Sequence, residues 1–215
     1  MSVRPEFGPT LPALLEARGI SRRATAIAAV VVLALLAGAW LAFGALRNKE
    51  HLVVEGPPEF NLVYAPSALA EKPLREDELL RLEGARPNVA FEITVRPVTV
   101  PPYANGDVVG GYLPILAEKR LADLRDLYGP VGVLEEGKSR INNQPGYQIG
   151  FRTQTGDERL FGRDAYVFPD DPAATEGLLL SMRRRILAKQ TAADEEFYDT
   201  VKEAFSSLAF GSGQP

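Results

Sequence analysis

An uncharged stretch of 23 residues near the amino terminus constrains this chain more than any other feature. It extends from Ala24 to Leu46, and arginines flank it on both sides. An α-helix needs about 20 apolar residues to cross a bilayer core of roughly 30 Å, and every backbone polar group inside a bilayer must be bonded within its own segment. The stretch therefore predicts one transmembrane helix at residues 24–46, preceded by a tail at residues 1–23.

The basic residues around this stretch predict its direction. Those before it are Arg4, Arg18, Arg22 and Arg23, and those shortly after it are Arg47 and Lys49. Because Lys and Arg are retained on the cytoplasmic side, we expect a single-pass protein of the cell membrane with a cytoplasmic tail and an extracytoplasmic domain. A cleaved signal peptide is the alternative, since Ala42-Phe43-Gly44 resembles a small-x-small cleavage site. The apolar region of signal peptides runs about 7–15 residues, so an uncleaved signal anchor is the preferred interpretation.

Small residues within the stretch are spaced for the close approach of a second helix. Gly38 and Ala42 form a small-xxx-small pair, and so do Ala34 and Gly38. Alanine is frequent enough here for such spacings to arise by chance. A homodimer is therefore left open without further support.

Charge is divided unevenly along the 215 residues. The first 49 hold six basic and two acidic side chains, which leaves 18 basic and 26 acidic ones for the remainder. An acidic outer domain argues against a nucleic acid partner, because nucleic acid rewards a basic face. The chain has no cysteine, so an exported domain has no disulfide bond and depends on its apolar core for stability.

The remainder predicts one globular domain at residues 58–211, after a juxtamembrane linker at 47–57 and before a frayed end at 212–215. Strict alternation of apolar and polar residues over Val89–Val100 predicts a half-buried strand. Asp77–Gly84 fits either a helical turn or a strand. Further strands are predicted at His51–Val54, Phe60–Tyr64, the later part of Val131–Ile141, Tyr147–Arg152, Arg159–Phe168 and Gly177–Leu187.

Two helices complete the predicted order of elements. Leucines at near-helical spacing predict one over Tyr112–Tyr128, which Gly129 and Pro130 end. A capping box from Thr191 to Asp194 begins the second. Helices that are separate from a mostly antiparallel run of strands indicate an α+β domain.

Side chains suited to catalysis or metal binding are scarce. His51 is the single histidine. It lies within a few residues of the predicted membrane helix, so it is interpreted as a solvated juxtamembrane side chain and not as a catalytic base. With no other histidine and no cysteine, neither a Ser-His-Asp triad nor a zinc site is expected. Glu135-Glu136 and Asp170-Asp171 offer oxygen ligands for calcium or a pair of acids for a glycosidase. Adjacent acids in loops are usually solvated, and no motif accompanies them. We therefore predict no catalytic, metal-binding or cofactor-binding residue, and a protein that is not an enzyme.

Arg183-Arg184-Arg185 suggests an anionic partner, either acidic lipid headgroups or a wall polymer. Alternate residues of a strand point to opposite faces, so the preferred interpretation is charge on an edge strand that prevents aggregation. Five aromatic residues are interpreted as core rather than as a ligand cage: Tyr147, Phe151, Phe161, Tyr166 and Phe168.

Several segments together resemble the PsbP/Mog1/DcrB-like superfamily, and within it the actinobacterial LpqN-type envelope proteins. They are EFNLVYAP, VAFEITVRPVTVP, INNQPGYQIGFRTQ and the closing FSSLAF, which follow one another across about residues 58–211. The resemblance implies an α/β/α sandwich around an antiparallel sheet and provides no catalytic set. Family members mostly serve as binding or accessory modules of larger assemblies.

These observations predict a non-catalytic binding or accessory module of the cell envelope with a protein partner. The alternative is a membrane-anchored carrier or sensor for a lipid or another small amphiphile, and a carboxylate hydrolase comes last. An interaction module is expected to enclose little volume and to expose an apolar patch. A carrier needs an apolar pocket of several hundred Å³, and a hydrolase needs paired acids with a raised pKa.

Overall fold

The computed structural model describes residues 26–27, 30–38, 49–102, 108–156, 158–171 and 173–211. The chain divides into two compact units, Met1–Asn48 and Lys49–Pro215. In the first unit the described residues are helical and exposed. None of the helices among the described residues combines the length and apolar character that crossing a bilayer requires. Much of the anchor predicted at 24–46 lies outside the described residues, as do the tail at 1–23 and the end at 212–215.

The described part of the second unit contains ten strands and three helices. The strands are β1 (Glu50–Val54), β2 (Phe60–Tyr64), β3 (Ala70–Glu71), β4 (Leu80–Arg86), β5 (Val89–Thr99), β6 (Gly132–Ile141), β7 (Gln144–Thr155), β8 (Glu158–Val167), β9 (Glu176–Ile186) and β10 (Ala209–Phe210). The helices are α1 (Val108–Gly111), α2 (Leu113–Tyr128) and α3 (Ala192–Ser206).

All strand pairs are antiparallel, and they form two sheets. The larger sheet has the order β3-β4-β5-β9-β8-β7-β6, and the smaller has the order β1-β2-β10. Separate helices and antiparallel strands confirm the predicted α+β class.

Helices lie against both faces of the larger sheet. On the first face, Phe197 and Val201 of α3 share a core with Phe91 and Ile93 of β5, and the apolar residues of β2 close this core from the smaller sheet. On the second face, Leu121 of α2 packs in a cluster with apolar residues of β7. The sheet is therefore the middle layer of the second unit.

Local sequence explains where α3 begins. The Thr191 side chain accepts a hydrogen bond from the Asp194 backbone N–H, and the Asp194 carboxylate accepts one from the Thr191 N–H at 2.8 Å. This is the predicted capping box, which satisfies two backbone donors that a helix start leaves unpaired. The structure also resolves the ambiguity at Asp77–Gly84, because β4 occupies most of that segment.

Strand β9 lies at the centre of the larger sheet, between β5 and β8. The interpretation of the arginine run as charge on an edge strand is therefore wrong. A central strand has no exposed backbone edge to protect, and the order of strands in a sheet is not encoded locally. Arg183 and Arg184 do point to opposite faces, as alternation requires.

Candidate functional site

The register of the sheet surrounds Phe161 with four arginines on the first face. Across the strands, Phe161 of β8 lies opposite Arg152 of β7 on one side and Arg184 of β9 on the other. Along β8, Arg159 and Arg163 are two residues away on either side. Residues that are opposite or two apart share a face of a sheet. We call these five residues the arginine platform.

Two clefts meet at the arginine platform, and Phe161 lines both. The first has a volume of about 280 Å³ and is bordered by Arg163, Arg184, Leu134 and Met182. The second has a volume of about 490 Å³ and includes the other two platform arginines, together with Gln154. The platform therefore combines an aromatic centre with guanidinium groups on all four sides.

Arg184 is held in place by α3 at the border of the platform. Its guanidinium lies 4.3 Å from the centre of the Tyr198 ring and donates a hydrogen bond of 2.7 Å to Glu195. The side chain is 14% exposed, so its charge is partly buried between α3 and the sheet. Arg184 thus forms a fixed wall of the first cleft.

Unlike the two remaining platform arginines, Arg163 has an ion pair among the residues that the structure describes. Arg163 forms an ion pair of 2.7 Å with Glu135 of β6. Gly150 makes room for this pair, because a Cβ there would overlap the Glu135 side chain. Arg152 and Arg159 are exposed, and neither forms an ion pair with any residue that the structure describes. Both side chains lie exposed at the border of the second cleft.

An ionic cluster lies on the second face of the sheet and connects β8, which carries the platform, with β9 and α2. Asp164 follows Arg163 on β8 and is fully buried. It accepts a hydrogen bond of 3.0 Å from Arg183 and one of 2.8 Å from Arg120 of α2. Burial alone would raise the pKa of Asp164, but the Arg183 and Arg120 charges hold it below its usual range. This carboxylate is therefore ionised and ties α2 to the centre of the sheet.

Phe151 and Gly162 complete that support. The Phe151 ring is fully buried and covers Gly162, so that a Cβ at Gly162 would overlap the ring. The Arg183 guanidinium lies 4.9 Å from the centre of the ring. The residues next to Phe161 on β8 are thus held from the second face, which fixes the strand that carries the platform.

The residues singled out in the sequence do not form one site. His51 is exposed on β1. Glu135 pairs with Arg163, whereas Glu136 accepts a hydrogen bond from the Tyr147 hydroxyl at 3.2 Å. Asp171 accepts one from the Ala173 backbone N–H. In the ranges that the structure describes, no three His, Cys, Asp or Glu side chains gather as a metal site would require.

The aromatic residues divide between the core and the cleft. Phe151, Tyr166 and Phe168 are buried, as predicted, and Tyr147 is half-buried. Phe161 is also half-buried, but it lines both clefts. The platform cannot be recognised in the sequence as one motif, because its arginines come from three strands. The spacing of Arg159, Phe161 and Arg163 on one strand was the available local clue.

Comparisons with known proteins define the fold. No protein-family model matches the chain, and no curated protein matches it. The solution structure of cyanobacterial PsbP from Synechocystis superposes with a TM-score of 0.50 at 10% identity, covering 76% of this chain and 93% of PsbP. LpqN, a protein involved in cell envelope biogenesis in Mycobacterium tuberculosis, gives 0.45 at 12% identity and covers 78% and 92% of the two chains. The likeness to PsbP shows the PsbP-like α+β fold that the motifs predict.

Proposed function

We propose that this chain is a single-pass membrane protein whose extracytoplasmic domain is a non-catalytic binding module of the cell envelope. Its binding surface is the arginine platform, and the partner is an acidic segment of another envelope protein. The observation that carries the proposal is the ring of four arginines around Phe161, of which Arg152 and Arg159 have no ion pair among the described residues.

Charge complementarity selects an acidic partner. The residues after the first 49 hold eight more acidic than basic side chains, so most of this domain repels an acidic chain. The arginine platform is a local exception, and such a contrast steers an acidic segment to one place. Arginine and aromatic residues are also the types that contribute most to protein interfaces.

The size of the clefts favours a partner that lies on the surface over a carried lipid. The cleft beside Leu134 and Met182 holds about 280 Å³, whereas sites that enclose a small ligand usually measure about 300–1,000 Å³ and are mostly apolar. The larger cleft of about 490 Å³ is bordered by Arg152, Arg159 and Gln154. These polar side chains favour a charged group over an acyl chain as the bound partner. The amphiphile carrier is thus the second candidate, supported by the apolar residues of the smaller cleft.

The state of the acids supports a non-catalytic role. A general acid at neutral pH needs a carboxyl group whose pKa is raised. Three acids have a lowered pKa instead: Glu83, Asp164 and Asp194. At Asp164 burial is the largest effect and would raise the pKa, but the neighbouring arginines outweigh it. At Glu83 and Asp194 hydrogen bonds to the carboxylate are the largest effect. In the clefts at the arginine platform, Glu135 is the acid that borders the surface, and it is occupied by Arg163.

The membrane anchor in this proposal rests on the sequence. The uncharged stretch at residues 24–46 has the length of a bilayer span, and the described residues 30–38 within it are helical. The excess of basic residues before it favours a cytoplasmic amino terminus.

Capture from native membranes tests the proposal. Full-length wild type is compared with R152Q/R159Q and with R185Q, which removes an exposed arginine outside the platform. After crosslinking, we expect an acidic envelope protein to be recovered with wild type and R185Q and lost with R152Q/R159Q. Equal recovery with all three would contradict the proposal. Recovery of an anionic lipid in its place would support the carrier.

A further inference from the structure

Strand β6 is the last strand of the larger sheet and has a hydrogen-bonded neighbour, β7, on one side. It is ten residues long, and most of its residues are exposed or half-exposed. An edge of this kind presents a row of backbone donors and acceptors that another strand can use. Proteins usually keep such edges short or covered, and at ten residues β6 is long for an edge strand.

The charges of β6 are arranged in opposite order about one glycine. Glu135 and Glu136 come before Gly137, and Lys138 and Arg140 follow it. In an antiparallel pair of identical strands centred on Gly137, each Glu136 lies directly opposite Lys138 of the second copy. Opposite charges at directly opposed positions stabilise a strand pair, and like charges destabilise it.

Other ways of pairing two β6 strands do not place opposite charges across from each other in this way. A pair centred on Glu136 places two glutamates opposite each other, and a pair centred on Lys138 places two lysines opposite each other. A parallel pair in register aligns every charge with its own kind. Only the antiparallel register about Gly137 has no like-charged residue on the two-fold axis and forms the Glu136–Lys138 pair twice.

The faces of the strand agree with this register. Beyond the irregularity between Val133 and Glu135, the register places Glu136 opposite Ile149 and Lys138 opposite Tyr147 of β7, so both lie on the second face of the sheet. Both are exposed. The Tyr147 hydroxyl donates to one carboxylate oxygen of Glu136, which holds that side chain on the surface and leaves its other oxygen for a second donor.

We propose that two copies of this chain associate through β6, antiparallel about Gly137, and join their larger sheets into one. The occupant of the edge is thus a second copy, selected by charge complementarity. This inference goes beyond the proposed function, because the association uses the edge of the sheet and not the arginine platform. The regular part of β6 that pairs is short, since the irregularity near Leu134 ends it, so the association depends strongly on its charged pairs.

Sedimentation equilibrium of the full-length protein in detergent tests the proposal through a charge exchange. We expect E136K and K138E each to weaken the dimer at least tenfold, because each places like charges opposite each other twice. The exchanged variant E136K/K138E restores the match, and we expect its dissociation constant to return to within about threefold of wild type. The matched controls are E196K and K202E on exposed positions of α3, which change the net charge equally and should leave the dimer intact.

Three results of these measurements would overturn the proposed β6 dimer. A wild-type protein that remains monomeric overturns the proposal. A dimer that persists in both E136K and K138E also overturns it, because the contact between the two copies then lies elsewhere. An exchange that fails to restore association also overturns it. Thermal melting of each variant confirms folding, and E136Q and K138Q, which remove charge without reversing it, should weaken the dimer by less than the reversals do.

Discussion

Replacing Asp164 by Asn should destabilise the second unit by about 3–5 kcal/mol, the usual cost of breaking a buried ion pair on one side. The magnitude follows from burial. Asp164 is fully buried, and the side chains of its partners Arg183 and Arg120 are 11% and 17% exposed. Asparagine keeps the shape but removes the charge, which leaves two nearly buried guanidinium groups uncompensated.

Thermal and urea denaturation of D164N measure this cost. In a domain of this size each kcal/mol lowers Tm by about 2–4 °C, so we expect a decrease of about 6–20 °C. E203Q is the control, because Glu203 pairs with Lys49 where both side chains are largely exposed. Such a pair contributes about 0–1 kcal/mol. A loss below about 1 kcal/mol for D164N would show that the charge of Asp164 does not hold this cluster together.

The same substitution has a signature in pH. The pKa of Asp164 is lowered in the folded protein from its ordinary value of 3.8. Its ionised form therefore stabilises the fold fully above about pH 3.8, and this contribution is lost as the pH falls through the lower, folded-state pKa. The difference in stability between wild type and D164N should be constant from pH 7 to pH 5 and shrink in stronger acid. A difference that stays constant at all pH values would contradict the assignment.

Three further substitutions test the fold and the platform. T191A removes one half of the capping box at α3 and should cost about 0.5–2 kcal/mol in urea unfolding; no loss would mean that Asp194 caps alone. G162A inserts a methyl group beneath Phe151 and should cost about 1–3 kcal/mol, and an unchanged Tm would show that the ring moves freely. R152Q/R159Q should change stability by less than about 0.5 kcal/mol per site while it weakens partner binding about tenfold, or about 1.4 kcal/mol; a large fall in Tm would show a structural role instead.

Local sequence patterns predict much of the fold. Alternation over Val89–Val100 matches β5 to within one residue, and the capping box at Thr191 marks the start of α3. Both signals are contained in a few consecutive residues. Strand β6 is less evident, because an edge strand exposed on both faces has little alternation, and the prediction placed a strand only in its later part.

Features that depend on sheet order could not be predicted in this way. The central position of β9 depends on which strands meet, so the three consecutive arginines gave no indication that Arg183 would bind buried Asp164. The arginine platform depends on register as well, since Arg152 and Arg184 approach Phe161 from two other strands. No window of consecutive residues contains that arrangement.

Site-specific photo-crosslinking at position 161 tests whether the arginine platform is the binding surface. Full-length protein with a photoreactive phenylalanine analogue in place of Phe161 is irradiated in native membranes, with and without R152Q/R159Q, and the attached peptide is sequenced. We expect one discrete adduct whose peptide is acidic and comes from another envelope protein, and we expect this adduct to disappear in R152Q/R159Q. No adduct at position 161, or an adduct that persists without these two arginines, would contradict the arginine platform as the binding surface.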